Sequence, residues 1–447
     1  MYRYFMPAHR VRIVVGVTLL AACATPQSGR SGGGVVAAPA APAPPAAPAE
    51  VASEPCLLST GDVTTRPRTI TIGLTEPVDP RHAPLARNDA ERIVFRHLYE
   101  TPVRVDCQGN VLPELTEKWV RDDDGRRWTF RLRDGAHYWD GAPVTAQDVV
   151  YGKGGVGYTL GALDPRVVTV ALAKPRDDVP AVLGDATLAV AKAAPDSSWP
   201  IGTGHYWATS GTTTPQEIRA HSEHGDTLVF RLAAPAPAAP RASGDARDLL
   251  DAGVDLLVTR DRAVRDYAAT LPNLAIVALP WDRTYVFVTA EAGGSKFDGL
   301  EQAVRAEARR AEGGFWWLDL RACGVASGQG ISPPPLAAAT PRRILYARSD
   351  PTARELAGRL AALTHAATAA RAPDDLSAAV AGGKEWGYVL ALPRITTDPC
   401  RAAKDLLPSW AATITALVDT RATAIARRGV ARWTVDLDGT AHLAPSP

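Results

Sequence analysis

Residues 98–150 read LYETPVRVDCQGNVLPELTEKWVRDDDGRRWTFRLRDGAHYWDGAPVTAQDVV, and this stretch decides the fold. Apolar side chains alternate with polar ones over 127–133, which predicts a half-buried strand. A hairpin over 103–111 is predicted to turn at Gln108-Gly109-Asn110. Asp-Gly pairs at 134–135 and 140–141 predict two more turns on either side of a short strand that reaches Tyr138-Trp139. Thr145-Ala-Gln-Asp148 has the spacing of a helix capping box.

Outward from this stretch, strands alternate with helices without a fixed period, which predicts an α/β fold rather than a repeat array. The predicted strands are 69–74, 275–279, 284–289, 343–347, 386–392 and 431–437. The predicted helices are 88–99, with Asp89 as a cap, 299–311 and 352–365. About 390 residues follow the amino-terminal region, too many for one compact core, so we expect at least two lobes.

The first 22 residues have the order of a secretory signal: arginines, an apolar run over 13–22, then small residues directly before Cys23. The run is too short to span a bilayer. Leu20-Ala-Ala-Cys23 resembles the bacterial lipobox, which predicts a lipid on Cys23; a cleaved signal with a chance cysteine is the alternative. We therefore expect an exported protein, in the periplasm or on the cell surface. Residues 23–60 read as a linker rich in Pro and Ala.

Charge and cysteine content limit the possible partners and chemistry. Lys and Arg number 49 against 48 Asp and Glu, and no basic tract is present, which argues against binding to nucleic acid. With Cys23 set aside, an even number of cysteines remains, which predicts two disulfides in an exported chain. The four remaining cysteines are Cys56, Cys107, Cys323 and Cys400. They allow three different disulfide pairings, and the sequence does not choose among them.

The 98–150 stretch resembles the extracellular solute-binding proteins of family 5, the oligopeptide-, dipeptide- and nickel-binding components of ABC importers. The resemblance lies in ordered motifs: Leu-Tyr-Glu at 98–100, Pro-Glu-Leu at 113–115, Trp-Thr-Phe-Arg-Leu-Arg at 128–133, Trp-Asp-Gly at 139–141 and Thr-Ala-Gln-Asp-Val at 145–149. Weaker matches occur at 200–206, 252–256, 284–298 and 429–439.

The resemblance implies a two-lobed α/β fold of the periplasmic-binding-protein type (type II, the peptide-binding cluster), with an extra domain on one lobe. Lobe 1 would span 61–270, with the inserted subdomain at about 88–190. Lobe 2 would span 271–425, and 426–447 would return to lobe 1. A peptide or small solute would lie between the lobes and pass to an ABC permease. We expect a monomer without cofactor or catalytic residues, held at the membrane by its lipid alone.

Four residues are predicted to approach the cleft by the same resemblance: Trp281, Tyr285, Trp386 and Arg394. Core packing is the alternative for each aromatic side chain. Peptide-binding members carry an acid just after the strand that matches 386–392, and this chain has Arg394 there. Arginine favours an anionic group. The chain is also shorter than is usual in the family.

Other motifs admit simpler explanations. Residues 152–157 fit G-x-G-x-x-G, but a Rossmann site needs a strand before it and a helix after it, so a loop is predicted. His221 and His224 read as a solvent-facing turn, and no metal is expected. No G-x-S-x-G elbow or H-E-x-x-H motif is present. Two alternative functions are a degenerate binding fold that serves as a surface scaffold or sensor, and a secreted α/β hydrolase.

Overall fold

The computed structural model describes residues 56–58, 60–63, 67–151, 153, 157–195, 197–208, 216–233, 244–289, 315–316, 342–393, 410–411 and 413–444. Contacts divide the chain into two units, Met1–Ala52 and Ser53–Pro447, and every described residue lies in the second. The predicted signal, Cys23, the helix over 299–311, Cys323, Arg394 and Cys400 lie outside the described residues.

The strands of the described chain form one large sheet and three smaller ones. They are β1 Thr69–Leu74, β2 Val103–Val105, β3 Val111–Pro113, β4 Thr116–Arg121, β5 Arg127–Leu132, β6 Tyr158–Asp164, β7 Val167–Leu172, β8 Trp207–Ala208, β9 Glu217–His221, β10 Thr227–Leu232, β11 Leu256–Thr259, β12 Leu274–Thr289, β13 Phe315–Trp316, β14 Arg343–Ala347, β15 Ala367–Arg371, β16 Gly387–Pro393, β17 Thr413–Arg427, β18 Trp433–Val435 and β19 Ala441–Leu443.

The helices are α1 Asp89–Leu98, α2 Ala146–Val150, α3 Val179–Val182, α4 Ala246–Asp251, α5 Arg262–Ala268, α6 Pro351–Thr364 and α7 Pro373–Gly382. Short 3-10 helices lie at Pro80–His82 and Ala186–Leu188. None of the helices in the described segments is long and apolar enough to cross a bilayer.

The large sheet runs in the order β15-β14-β16-β12-β17-β11-β1-β10-β9-β8, and β13 pairs with β17. Its long central strands, β12 and β17, are antiparallel. The second half of β12 pairs with β16, whereas the end of β17 pairs with β11. Register shifts interrupt the β12–β17 pairing between Ala278 and Val286. These two strands therefore join one lobe to the other, and the bulges lie where they cross.

Each lobe has its own apolar core. In lobe 1, α1 packs its buried face, including Ile93 and Phe95, against β1, β10 and β11, and Trp433 near the carboxyl end joins that core. In lobe 2, Leu356 and Leu360 of α6 pack in one core with Tyr285 of β12 and with Trp386, which directly precedes β16. The exact lobe boundaries stay a prediction.

The extra domain is a four-stranded antiparallel sheet in the order β4-β5-β7-β6. Its core contains Phe130 and Leu132, which are fully buried, and Trp128. The predicted strand alternation over 127–133 is confirmed, as is the hairpin of β2 and β3. Thr145 begins α2, and the Asp148 carboxylate accepts from the Thr145 N–H at 2.7 Å, which completes the predicted capping box.

Three sequence expectations were wrong in detail. Asn88, rather than Asp89, caps α1, because its side chain accepts the Glu91 N–H at 2.8 Å. Tyr138 belongs to no strand, and only an isolated bridge between His137 and Pro143 lies there. The strands predicted at 275–279 and 284–289 are one strand, because the bulges of β12 carry the chain through Pro280.

The elements beside two other motifs agree with the predictions, although residues 152 and 154–156 themselves lie outside the described residues. Helix α2 precedes the glycine-rich segment and strand β6 follows it, the reverse of a dinucleotide site. His221 ends β9, and the following residues turn into β10. Cys56 and Cys107 form a disulfide, which is the one bridge found within the described chain.

Candidate ligand-binding cleft

A cleft of about 1200 Å³ lies between the lobes, at the carboxyl ends of parallel strands from both. Glu76 follows β1, Arg260 follows β11, Arg348 follows β14, and Pro393 ends β16; all four line the cleft. Strands β1 and β11 are parallel, as are β14 and β16. Loops beyond the carboxyl ends of parallel strands are where α/β proteins bind ligands.

Asp89 is the centre of an ion-pair network at the base of the cleft. Its carboxylate is 3.0 Å from Arg92 and 3.0 Å from Arg260, and it also accepts from Arg283. Burial alone would raise the pKa of Asp89, but the three arginines overcome this and hold it well below its usual range. Asp89 is therefore ionised and fully engaged.

The network extends along β12 and into lobe 2. Asp282 accepts two hydrogen bonds from Arg260, one of them at 3.1 Å. Arg283 lies 3.7 Å from Asp350, which caps α6 through the Ala353 N–H at 2.9 Å. Tyr285 donates to the same Asp350 carboxylate at 2.7 Å. Residues of β12 thus connect α1 of lobe 1 to α6 of lobe 2.

Among the described acids of the cleft wall, Glu76 is the one whose pKa is raised toward neutrality. Burial, together with the nearby Asp89 charge, raises the pKa of Glu76 from 4.5 to about 7. Its carboxylate accepts the Asp89 N–H at 3.3 Å, and a hydrogen bond with Ser349 of lobe 2 partly offsets the shift. Glu76 is therefore a titratable contact between the lobes.

At the rim, an exposed ion pair joins the lobes directly. Arg87, in the loop before α1, donates to Asp374, in the first turn of α7, at 2.6 Å. Both residues are exposed to solvent, with side-chain exposures of 49% and 72%. Salt will screen this contact, so it contributes little energy by itself.

Three other charged side chains of the cleft wall make neither a side-chain hydrogen bond nor an ion pair among the residues described here. Arg348 and Arg354 lie on lobe 2, and Asp248 lies on helix α4 of lobe 1. All three side chains are exposed, and the structure gives none of them a hydrogen bond or ion pair within the described segments. They remain available to a ligand.

The structure places the predicted aromatic residues away from the cleft wall. Tyr285 and Trp386 are buried in the lobe 2 core, and Trp386 packs 5.5 Å from Phe287. Trp281 lies under Arg421 at 4.5 Å and lines a separate crevice of about 480 Å³ beside the Cys56–Cys107 disulfide. Arg394 is outside the described residues, directly after Pro393 of the cleft wall. A role in binding stays a prediction for all four.

Sequence reasoning missed Glu76, Arg348 and Arg354. The available signal was their position, because each lies within a few residues of the end of a predicted strand, at the start of a turn or helix. Within the described part of the chain, no group of three or more His, Cys, Asp or Glu side chains could hold a metal ion.

Residues 110–219 match the family model described as bacterial extracellular solute-binding proteins, family 5 Middle. The periplasmic murein peptide-binding protein MppA of Escherichia coli (strain K12) is 47% identical over 58 residues, 13% of this chain and 11% of that protein. The periplasmic oligopeptide-binding protein OppA of Salmonella typhimurium is 44% identical over 61 residues, 14% of this chain and 11% of that protein. The chain thus spans about a tenth of the length of these curated relatives.

Solved structures share the fold over most of the chain. The Escherichia coli murein tripeptide binding protein MppA superposes with a TM-score of 0.56 at 14% identity, over 80% of this chain and 94% of that chain. NikA from Brucella suis in complex with Fe(III)-EDTA superposes with a TM-score of 0.57 at 14% identity, over 85% of this chain and 100% of that chain. The predicted two-lobed α/β fold is confirmed.

Proposed function

Because residues 110–219 match the model of the bacterial extracellular solute-binding proteins of family 5 and the chain shares a two-lobed fold with solved binding proteins, we propose that it is a binding receptor that captures a small solute between its lobes. The observation that carries this proposal is the 1200 Å³ cleft at the facing strand ends. A cleft of that size suits a small solute or short peptide. The match to a family of binding proteins argues against the alternative of a secreted hydrolase.

Binding in this proposal is coupled to movement of the lobes. The bulged segments of β12 and β17 are the hinge, since the two long strands are the described links between the lobes. Arg87–Asp374 and Glu76–Ser349 contacts form when the lobes approach. A solute that touches both walls stabilises the closed arrangement by the contacts it makes only there.

The finer assignments belong to the same proposal. The solute is a peptide or another small molecule, and a membrane ABC permease receives it. The receptor acts as a monomer and is held at the membrane surface by a lipid on Cys23. Arg394 follows the cleft wall and would contact an anionic part of the solute. Tyr285 would act indirectly, because its hydroxyl holds Asp350 and through it the start of α6.

The open cleft also bears on the scaffold or sensor alternative. In a protein that no longer binds a ligand, bulky side chains could fill the cleft without loss of function. Small or polar residues such as Ala347, Ser349 and Ala391 line the lobe 2 wall instead. This composition favours a binding receptor.

Native mass spectrometry of protein purified from its own host tests the proposal, and small-angle scattering measures closure. We expect a bound small molecule and a smaller radius of gyration than for protein refolded without it. Ala391→Trp, which puts an indole on the exposed cleft wall, should abolish both effects. Ala362→Trp, on an exposed position of α6 outside the cleft lining, is the matched control and should keep them. A wild-type protein that carries no ligand and does not close would refute the proposed function.

A further inference from the structure

We propose that the solute carries an oxyanionic group, a carboxylate or a phosphate, which is bound by Arg348 and Arg354 on the lobe 2 wall of the cleft. This assignment rests on the proposed receptor function and names the chemistry of its ligand. Arg348 directly follows β14, and Arg354 lies in the first turns of α6. Both side chains line the cleft.

In the described segments, Arg348 and Arg354 lack the carboxylate partners that the other cleft arginines have. Arg92, Arg260 and Arg283 each contact at least one carboxylate of the network. Arg348 and Arg354 contact none in the described segments, although Asp350 lies between them in sequence. The Asp350 carboxylate is already occupied by Tyr285, the Ala353 N–H and Arg283.

Electrostatics at the start of α6 also favour a bound anion. The amino-terminal end of α6 carries the positive end of the helix dipole, where cations are disfavoured and anions are favoured. An arginine in the first turns of this helix opposes that preference, and a second arginine just before the helix adds to the local positive charge. Natural sequences break such local rules mainly at functional sites. A bound anion would remove the conflict.

The acids at the base of the cleft do not supply this anion. Asp89, Asp282 and Asp350 face Arg92, Arg260 and Arg283, so three acids balance three arginines there. Asp248, the remaining free acid, belongs to lobe 1 and lies across the cleft. The positive charge of the lobe 2 wall is therefore left for a ligand.

Arginine suits the proposed role because its planar guanidinium donates two parallel hydrogen bonds to a carboxylate or phosphate. Removing charged partners from a desolvated pair weakens binding by at least about 30-fold, the equivalent of about 2 kcal/mol. Lysine keeps the charge but loses the two-pronged geometry, so a double lysine variant should bind with intermediate affinity.

The test uses the small-molecule fraction released by denaturing wild-type protein from its own host. The fraction is added back to ligand-free, refolded protein and binding is followed by calorimetry. Three portions are compared: untreated, methyl-esterified with acidic methanol, and treated with phosphatase. Loss of binding after esterification alone identifies a carboxylate, and loss after phosphatase treatment identifies a phosphate.

The same fraction is titrated into an Arg348→Gln/Arg354→Gln double variant and into an Arg359→Gln control. Arg359 lies on α6 as well, pairs with Glu355 at 2.5 Å and does not line the cleft. We expect at least about a 30-fold loss in the double variant and an unchanged affinity in the control. Binding that survives both chemical treatments, or equal affinity in the double variant and wild type, overturns the oxyanion assignment while the receptor function stands. Wild-type protein that releases nothing overturns both.

Discussion

Replacing Glu76 with glutamine should make the folded protein less sensitive to pH between about 5 and 8. The Glu76 carboxyl has a pKa of about 7 in the folded protein and an ordinary value of 4.5. Between these two values the folded chain therefore holds a proton that the unfolded chain has lost. Stability falls with rising pH wherever the folded state binds more protons, so this group weakens the wild-type fold as pH rises from about 4.5 to about 7.

The size of the effect follows from the same two values. A pKa difference of one unit corresponds to 1.36 kcal/mol, so the 4.5 to 7 interval gives an upper bound of about 3 kcal/mol. Because the Glu76 side chain is partly exposed, we expect the pH-dependent change in stability to be lower, at about 2 kcal/mol. Glutamine cannot ionise, and its amide oxygen can still accept the Asp89 N–H that Glu76 accepts. The variant should match wild type at pH 5 and exceed its stability by about 2 kcal/mol at pH 8.

Urea unfolding followed by tryptophan fluorescence measures this difference, because the chain contains 11 tryptophans. Urea titrations of both proteins are carried out at pH 5 and at pH 8. The difference in unfolding free energy between variant and wild type is then compared between the two pH values. Other titrating groups cancel in that comparison. Glu355→Gln, on an exposed position of α6, is the control for the substitution itself. If the unfolding free energies of Glu76→Gln and wild type change in parallel with pH, the raised pKa of Glu76 at the lobe contact is refuted.

Three further substitutions probe the network, the disulfide and the rim. Asp89→Asn leaves three half-buried arginines short of a carboxylate. We expect it to lower the unfolding free energy, measured by urea titration, by about 3–5 kcal/mol. Asp245→Asn, in an exposed pair with Arg247, should change the unfolding free energy little. Cys107→Ser opens a loop with a sequence separation of 51 residues and should lower the unfolding free energy by about 4 kcal/mol under oxidising conditions. The difference between variant and wild type should disappear when the disulfide of the wild type is reduced. At low ionic strength, where the charge repulsion is not screened, Arg87→Asp should repel Asp374 and enlarge the radius of gyration of the ligand-bound protein in scattering. Adding Asp374→Arg should restore the radius, and an unchanged radius in the single variant would exclude this pair from closure.

The sequence predicted the elements whose signals are local. Strand β5 followed from alternation over 127–133, and the bounds of β1 and β14 matched because short apolar runs end at turn residues. The cap of α1 was misassigned because Asn88 and Asp89 are both suitable side chains. Tertiary structure decided between them, since the Asp89 carboxylate binds three arginines.

The cleft was harder to predict for a physical reason. Its ion pairs join residues far apart in sequence, such as Asp89 and Arg283, and no local pattern distinguishes them from surface charges. The aromatic residues show a second difficulty, because a tryptophan in a core and a tryptophan in a pocket look alike in sequence. Trp386 packs in the lobe 2 core, although β16, which begins at the next residue, reaches the cleft wall at Pro393.

The balance of charge at the base of the cleft constrains how a ligand can act. The Asp89 network already connects the two lobes through Arg283 and Asp350, so a ligand need not supply that connection. A ligand shifts the equilibrium between open and closed lobes only if it binds the two states with different affinity. An oxyanion held by Arg348 and Arg354 alone touches only lobe 2 and should bind without closing the cleft. A solute that closes it must also reach lobe 1, where Asp248 presents a free carboxylate and would accept a hydrogen-bond donor or a cation. Anionic and donor groups on one molecule are therefore the combination that this cleft selects.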